Sequence, residues 1–210
     1  MCCRYYMEMS PELRPYVEAA KHSPLTDKMI EKLGKPLVTE GEVFPMNIVP
    51  VIAPGSNYQK AVFPMLWGFE LKGLDRPVIN ARVETAAQKP SFKDAWHSHR
   101  CIIPASWYYE WEHIPLTNGK TKTGDKYAIQ PRGQSITYLA GLYRIQEYRN
   151  LKYPAYTILT REPGDAISRI HDRMPLVLPE SAIFDWINPL NKAEDIIGLA
   201  ITDMIAVKEA

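Results

Sequence analysis

Eighteen prolines are spread along this 210-residue chain. Proline donates no backbone hydrogen bond, so it breaks helix interiors and is confined to the edges and bulges of sheets. Long helices are excluded, and short elements joined by stiff connections are expected. No shift in composition marks a boundary, and no repeat or low-complexity segment interrupts the chain. The expected architecture is a single α+β domain over residues 1–210, built on a mainly antiparallel, strongly bent, barrel-like sheet with short peripheral helices.

The patterning gives an order of elements. A helix is expected over Met7–Lys21, capped by Ser10 and delayed by Pro15. Residues 22–42 read as a surface excursion with a helix near Asp27–Leu33 stopped by Gly34. Strands follow at Val51–Pro54 and Ala61–Phe69, then a loop over Leu71–Pro77. From Val78 to Thr85, Asn80, Arg82 and Glu84 alternate with Ile79, Ala81 and Val83, which in a strand lines three polar residues on one face. Ser91 and Asp94 suggest a capping box for a short helix through Trp96. The next strand, Arg100–Ile103, is expected to break at Pro104. In Trp107–Trp111, Tyr108 and Glu110 share one face. Asn118-Gly119 and Gly124-Asp125 are turn signals, and strands are expected at Lys126–Gln130, Ser135–Tyr143, Pro154–Thr160 and Leu176–Leu178. Short helices are expected from Asp165 to near Ile170, over Glu180–Ile187 and over Asn191–Leu199.

The net charge is +1, which rules out a general polyanion binder; any nucleic acid must be held by a local cluster of Arg and Lys. No apolar run approaches the ~20 residues of a membrane span, and Arg4 and Glu8 interrupt any signal-like stretch. The three cysteines, two of them adjacent, form neither a disulfide framework nor a zinc pattern. A cytoplasmic protein with reduced thiols is expected, without cofactor or metal, acting as a monomer, and nucleoid-associated if its source is bacterial.

The chemistry begins at the N-terminus, Met1-Cys2-Cys3-Arg4. Trimming of Met1 before a small residue would leave Cys2 with a free α-amine and a thiol. An α-amine titrates at about 7.7–8.0, against about 10.4 for lysine, so on the order of a tenth is unprotonated at neutral pH. The thiol adds a second nucleophile. An aldehyde can form an imine with the amine and then close on the sulfur as a thiazolidine. The other reading is two small residues in a frayed terminus.

Further along, Glu110 lies in an aromatic-rich strand. If buried, its pKa rises toward the range of a general acid or base; otherwise it faces solvent on an edge. Asn80 sits mid-strand, where Asn is disfavoured, and needs partners there, structural or functional. Arg4 and Arg82 are suited to clamping phosphate, or to an ordinary surface. His171, between Asp172 and Pro175 and followed by Arg173, can shuttle a proton or hold a phosphate. His22, His97, His99 and His113 carry no assignment, and Cys101 reads as packing.

Taken together, these residues resemble one family. Cys2 with Arg4, Asn47 and Pro50 in Asn47–Pro50, Leu66-Trp67-Gly68, Ile79–Thr85, Trp107–Trp111 and His171–Pro175 are similar in order and spacing to the SOS response-associated peptidase (SRAP) family, over residues 2 to about 187. The resemblance implies a sensor of abasic sites in single-stranded DNA, within the DNA damage response. It implies that Cys2 crosslinks to the ring-opened sugar as a thiazolidine. Asn80 would orient the amine, Glu110 would act as acid and base, and His171 would contact the lesion's phosphate and assist proton transfer. Arg4, Arg82, Thr160 and Arg173 would contact the DNA backbone, and Asn47 and Pro50 would line the site. It further implies autoproteolytic removal of Met1, with lyase activity through the imine as an added possibility.

Three features depart from the family pattern. Position 3, usually Gly, is Cys3. Lys72–Asp75 replaces an aromatic wedge. The chain reaches Ala210 without the Val-Ser-x-x-Val-Asn type of segment, so it is either truncated or from a branch lacking that segment. Two alternatives remain: a cysteine peptidase using Cys2 and His171 with Glu110 or Asn80, and a non-covalent module stacking single-stranded DNA on Trp67, Trp107 and Tyr108.

Overall fold

The computed structural model describes residues 2–117 and 119–209. The expectations for Met1, for the Asn118 half of the Asn118-Gly119 turn and for the segment at Ala210 lie outside the described residues. The elements run β1 (Arg4–Met7), α1 (Arg14–Lys21), α2 (Pro24–Leu33), β2 (Gly41–Val43), β3 (Ile48–Pro54), β4 (Lys60–Trp67), β5 (Asn80–Arg82), α3 (Val83–Ala86), α4 (Lys93–Ser98), β6 (Arg100–Ala105), β7 (Trp107–Pro115), β8 (Thr121–Pro131), β9 (Thr137–Tyr148), β10 (Leu151–Arg161), α5 (Asp165–Ser168), β11 (Met174–Pro175), β12 (Val177–Leu178), α6 (Ile183–Ile187), α7 (Ala193–Ile197) and β13 (Met204–Lys208). No described helix is long and apolar enough to cross a membrane.

Five strands close on themselves in the order β10-β4-β3-β6-β9, with β9 pairing back to β10. Closure removes the exposed edges that a flat sheet would present. A second sheet, β13-β8-β7-β1-β2, lies alongside. Among the described residues, all pairings between these strands are antiparallel except those of β10 with β4 and β5, and Leu37 adds a parallel bridge to Ile48. This is the expected α+β class, with a mainly antiparallel barrel and short helices.

Alternation divides each barrel strand between two cores. Ile48, Ile52, Leu66, Ile102 and Leu142 pack with the helix residues Met29, Trp96 and Trp186. Val49, Val51, Trp67, Ile103 and Tyr156 pack with Tyr5, Met7, Tyr108 and Ile129 of the second sheet.

Several local expectations are corrected. The first helix begins only at Arg14, because Met7 is held in β1; Ser10 Oγ instead accepts from the Leu13 amide in the preceding turn (3.2 Å). The strand expected over Val78–Thr85 is shorter: Val78 bridges Phe69, Asn80–Arg82 pairs with β10, and because β10 ends at Arg161 the chain then turns helical in α3. The Ser91 box does not form: the chain already turns through the Lys89 carbonyl, which accepts from Phe92 and Lys93 (2.9 and 2.8 Å), so α4 begins at Lys93 with Phe92 rather than Ser91 at its cap position, and no side chain caps it. Pro104 does not break β6. Its nitrogen faces away from β9, toward β3, which pairs with β6 only at Ile102. Gly124-Asp125 is no turn; the two residues together oppose Glu112 in a bulge of the β7–β8 ladder, where a Cβ on Gly124 would meet Glu112 at 2.7 Å. The helix after Ser23 and its left-handed stop at Gly34 (φ 65°) match the sequence.

The helices are tied to the barrel by Arg100, buried at the start of β6. Its guanidinium donates to the carbonyls of Trp186 (2.6 Å), Trp96 (2.9 Å), Asn188 (2.6 Å) and Asn191 (2.8 Å). Removing it strands several buried acceptors, each costing about 1–3 kcal/mol. Arg100→Ala is expected to lose about 3 kcal/mol or more, read as a urea midpoint lowered by roughly 1 M or more at unchanged slope.

Candidate active site

The barrel's closure places the first half of the site. Strand β4 runs beside β10 as far as Trp67, then leaves at Gly68, whose amide donates to Tyr156 O (2.7 Å). Gly68 has φ 121°, and a Cβ there would lie 2.7 Å from Pro77 Cβ, so only glycine fits. After the excursion over 71–77, β5 resumes pairing with β10 at Asn80↔Ile158. The Trp67 indole donates to Ile79 O (3.1 Å) and fixes the returning chain. Asn80 therefore arrives at a set position, and its Nδ2 donates to Cys2 O (2.8 Å).

The second sheet supplies the other half. Strand β1 pairs with β7 through Tyr5↔Tyr108. That register carries Glu110, two residues on and on the same inner face as Tyr108, alongside the N-terminal residues. Tyr5 Oη and Tyr156 Oη share a hydrogen bond of 2.8 Å, and Tyr5 packs on Trp67 with ring centroids 5.2 Å apart, joining the two sheets beneath Cys2. Cys2 is fully buried, its Sγ 3.6 Å from Arg4 O.

His171 follows α5, and its Nε2 lies 3.8 Å from Glu110 Oε2. Both are buried, 3% and 2% exposed. Burial disfavours charge on each, in opposite directions along the pH scale. It pushes Glu110 up to about 7 and His171 down to about 4. Burial also raises the Cys2 thiol, and the nearby Glu110 carboxylate adds to that. At neutral pH the site thus holds a neutral imidazole, a carboxyl balanced between its two forms and a thiol rather than a thiolate.

Residues far apart in sequence thus meet here: Asn80 holds the Cys2 carbonyl, His171 lies against Glu110, and the Glu110 carboxylate acts electrostatically on the Cys2 thiol. Cys3 and Asn80 line a cleft of about 380 Å³ with Pro77, Val78 and Ile79. The remaining sequence candidates differ in setting. Arg82 is exposed. Arg4 is half-buried, 3.4 Å from Glu42 and over the rings of Phe44 (4.6 Å) and Trp111 (5.1 Å). Asn47 closes a tight turn, its Oδ1 accepting from the Phe44 amide (2.9 Å), and Pro50 is buried in β3. Thr160 is buried in β10. Arg173 makes a two-pronged bond to Glu84 (2.9 and 2.9 Å) and donates to Thr160 O (2.7 Å).

His113, given no assignment from the sequence, lies against His171 with ring centroids 3.9 Å apart and the rings tilted by 43°. Among the described residues, His113, His171 and Asp172 bring ligand-capable atoms within 4.8 Å of one another. The only sequence signal was the alternation of β7, which the bulge beyond Trp111 obscures.

The two shifts act oppositely on stability. Glu110, raised, favours the unfolded state as pH climbs from its unfolded value near 4.3 through about 7. His171, depressed, costs stability at low pH and returns it as pH rises from about 4 through its unfolded value near 6.5. Over the shared window they offset one another. Glu110→Gln is therefore expected to gain up to about 3 kcal/mol at pH 7 and above, and to uncover a stability that rises with pH between about 4 and 6.5. Urea titrations across pH measure both.

Comparison with known proteins agrees with this architecture. A solved structure from Bacteroides thetaiotaomicron superposes with a TM-score of 0.71 at 20% identity, covering 100% of this chain and 92% of that one, which establishes the shared fold. Two curated Bacillus subtilis relatives, YoaM and YobE, are named abasic site processing proteins. YoaM is 35% identical over 71% of this chain and 65% of its own length. YobE is 34% identical over 80% of each. The family model described as SOS response associated peptidase (SRAP) matches residues 1–206, and the chain belongs to that family.

Proposed function

We propose that this protein processes abasic sites in single-stranded DNA by forming a covalent thiazolidine through Cys2 once Met1 is removed. The observation that carries this reading is the placement of Cys2, its carbonyl held by Asn80 at 2.8 Å, beside a buried carboxyl that titrates near neutrality. Relatives named for abasic site processing support the substrate class.

The order of steps follows from the electrostatics. Burial keeps the Cys2 sulfur protonated, so the α-amine is the first nucleophile. It attacks C1 of the ring-opened sugar, and loss of one water leaves an imine. Glu110 as carboxylate accepts the thiol proton while sulfur adds to the imine carbon, and returns that proton to the nitrogen. The balance is aldehyde plus aminothiol giving thiazolidine plus water. His171 lies beside Glu110 to exchange its proton. Arg82, exposed, supplies positive charge for the DNA backbone, while Arg4 and Arg173, paired with Glu42 and Glu84, and Thr160, Asn47 and Pro50 support the walls. The same imine acidifies the adjacent C–H, which gives a route to lyase chemistry. Release of Met1 by the site itself is the remaining part of the proposal.

Intact mass of Met1-free protein, incubated with a single-stranded oligonucleotide bearing one abasic site, is expected to show a heat-stable species equal to protein plus DNA less one water. Cys2→Ala is expected to abolish it. If Met1-free protein gives no such species but cleaves a peptide in trans, the peptidase reading replaces this one. The crosslinking rate is expected to fall as pH drops below about 7, where Glu110 takes up its proton. In Glu110→Gln that inflection disappears, and the rate falls by about 10²–10⁴.

A further inference from the structure

We propose that Glu84 is a positioning residue for the acid–base pair: by holding Arg173, it decides which nitrogen of His171 carries the proton. The functional part of this rests on His171 serving the chemistry proposed above; the choice of tautomer is a property of the DNA-free protein.

His171 Nδ1 faces two partners with incompatible demands. The Arg173 backbone amide lies 3.0 Å away and donates, so it requires the Nδ1 lone pair. Asp172 Oδ1 lies 2.8 Å away and requires a proton on Nδ1. A neutral imidazole can satisfy only one of them. The choice is passed to the far side of the ring, where Nε2 faces Glu110 Oε2 at 3.8 Å. With Nδ1 accepting from Arg173, Nε2 carries the hydrogen and presents it to Glu110. With Nδ1 donating to Asp172, Nε2 becomes an acceptor and competes for the proton of Glu110.

The geometry favours the Arg173 amide. Asp172 has its side chain 78% exposed, so water screens its claim. Arg173, by contrast, is nearly buried and anchored at both terminal nitrogens. Glu84 takes a bidentate pair of bonds at 2.9 Å each, and Thr160 O takes a third at 2.7 Å. Paired carboxylate–guanidinium bonds of this kind fix orientation as well as position. Glu84 follows β5 directly in α3, so the strand that delivers Asn80 to Cys2 also delivers the anchor for the amide at His171. Another neighbour of the ring, His113, lies against it with centroids 3.9 Å apart and the rings tilted by 43°.

The test is nitrogen-15 NMR of histidine-labelled protein without DNA at neutral pH, in which the ring couplings separate the two tautomers. Wild type is expected to show His171 protonated at Nε2. Glu84→Gln, which keeps the side-chain length but removes the charge, is expected to populate the Nδ1-protonated form. It should also slow crosslinking to abasic DNA on the order of tenfold to a hundredfold. Adding Asp172→Asn to Glu84→Gln is expected to restore both the tautomer and the rate. Wild-type His171 protonated at Nδ1 would overturn the proposal, as would a folded Glu84→Gln protein whose tautomer is unchanged. If Glu84→Gln fails to fold, Asp172→Asn alone decides: a change of tautomer in that surface variant would assign control to Asp172. None of these spectra depends on adduct formation, so loss of the crosslinking reading leaves this one separately decided.

Discussion

Hydrogen bonding along both edges of β10 is the constraint on which the rest of this structure depends. On one edge, β4 pairs as far as Trp67 and β5 takes over at Asn80. On the other, β9 pairs up to Ile158, and β11 takes over at Thr160↔Pro175. The two short strands carry the site: β5 brings Asn80 and leads to Glu84, and β11 ends the segment that holds His171 and Arg173. Neither is long enough to hold itself in place. Each borrows rigidity from a fully paired, buried neighbour, which suits a site that has to be precise to a fraction of an ångström.

The same arrangement explains what could be read from the sequence and what could not. The fold class, the strand from Ala61, the strand into Thr160 and the Gly34 stop follow from local pattern, because alternation and left-handed turns are written in consecutive residues. The chemistry-bearing residues were visible one by one: Cys2 by its place in the chain, Asn80 by its unsuitability for a strand, Glu110 by its aromatic neighbours. Their convergence was not visible from periodicity, since it depends on β10 changing partners on both edges. Glu84 shows this well. It was read on one face with Asn80 and Arg82, yet it bonds Arg173 because the strand ends at Arg82 and the next residues coil. Gly124-Asp125 and Pro104 failed for a related reason: a bulge and a half-paired strand use turn residues without turning. Strand β1, which leads from Cys2 into the second sheet, was not foreseen: its four residues carry too short a pattern, and only its last, Met7, was read as the start of a helix.

Burial couples the site's reactivity to its stability. One cause, removal from water, raises Glu110 and lowers His171, so each sits in its uncharged form more readily than in solution. Such groups weaken the fold wherever they must ionise. The surrounding structure offsets this with the Tyr5–Tyr156 bond across the two sheets, the Arg173–Glu84 clamp and the Arg100 cluster on the opposite face. A carboxyl poised near neutrality is thus held by a framework that these bonds fix in place.

The second thiol, Cys3, sharpens the chemical argument. It is half-buried and shares the cleft with Asn80, so it stands near any aldehyde that reaches Cys2. Its own nitrogen, however, is part of the peptide bond to Cys2 and is not a free amine. Sulfur alone adds to an aldehyde reversibly, giving a hemithioacetal that water displaces; ring closure to a thiazolidine requires an amine and a thiol on one residue. Proximity therefore does not make Cys3 a substitute for Cys2. Burial also raises its thiol, with the Glu110 carboxylate adding to the effect, which keeps it mostly protonated. In the proposed chemistry, what separates two adjacent, chemically identical side chains is which of them carries the free amine, and the fold reinforces that choice by spending the Asn80 amide on the carbonyl of residue 2.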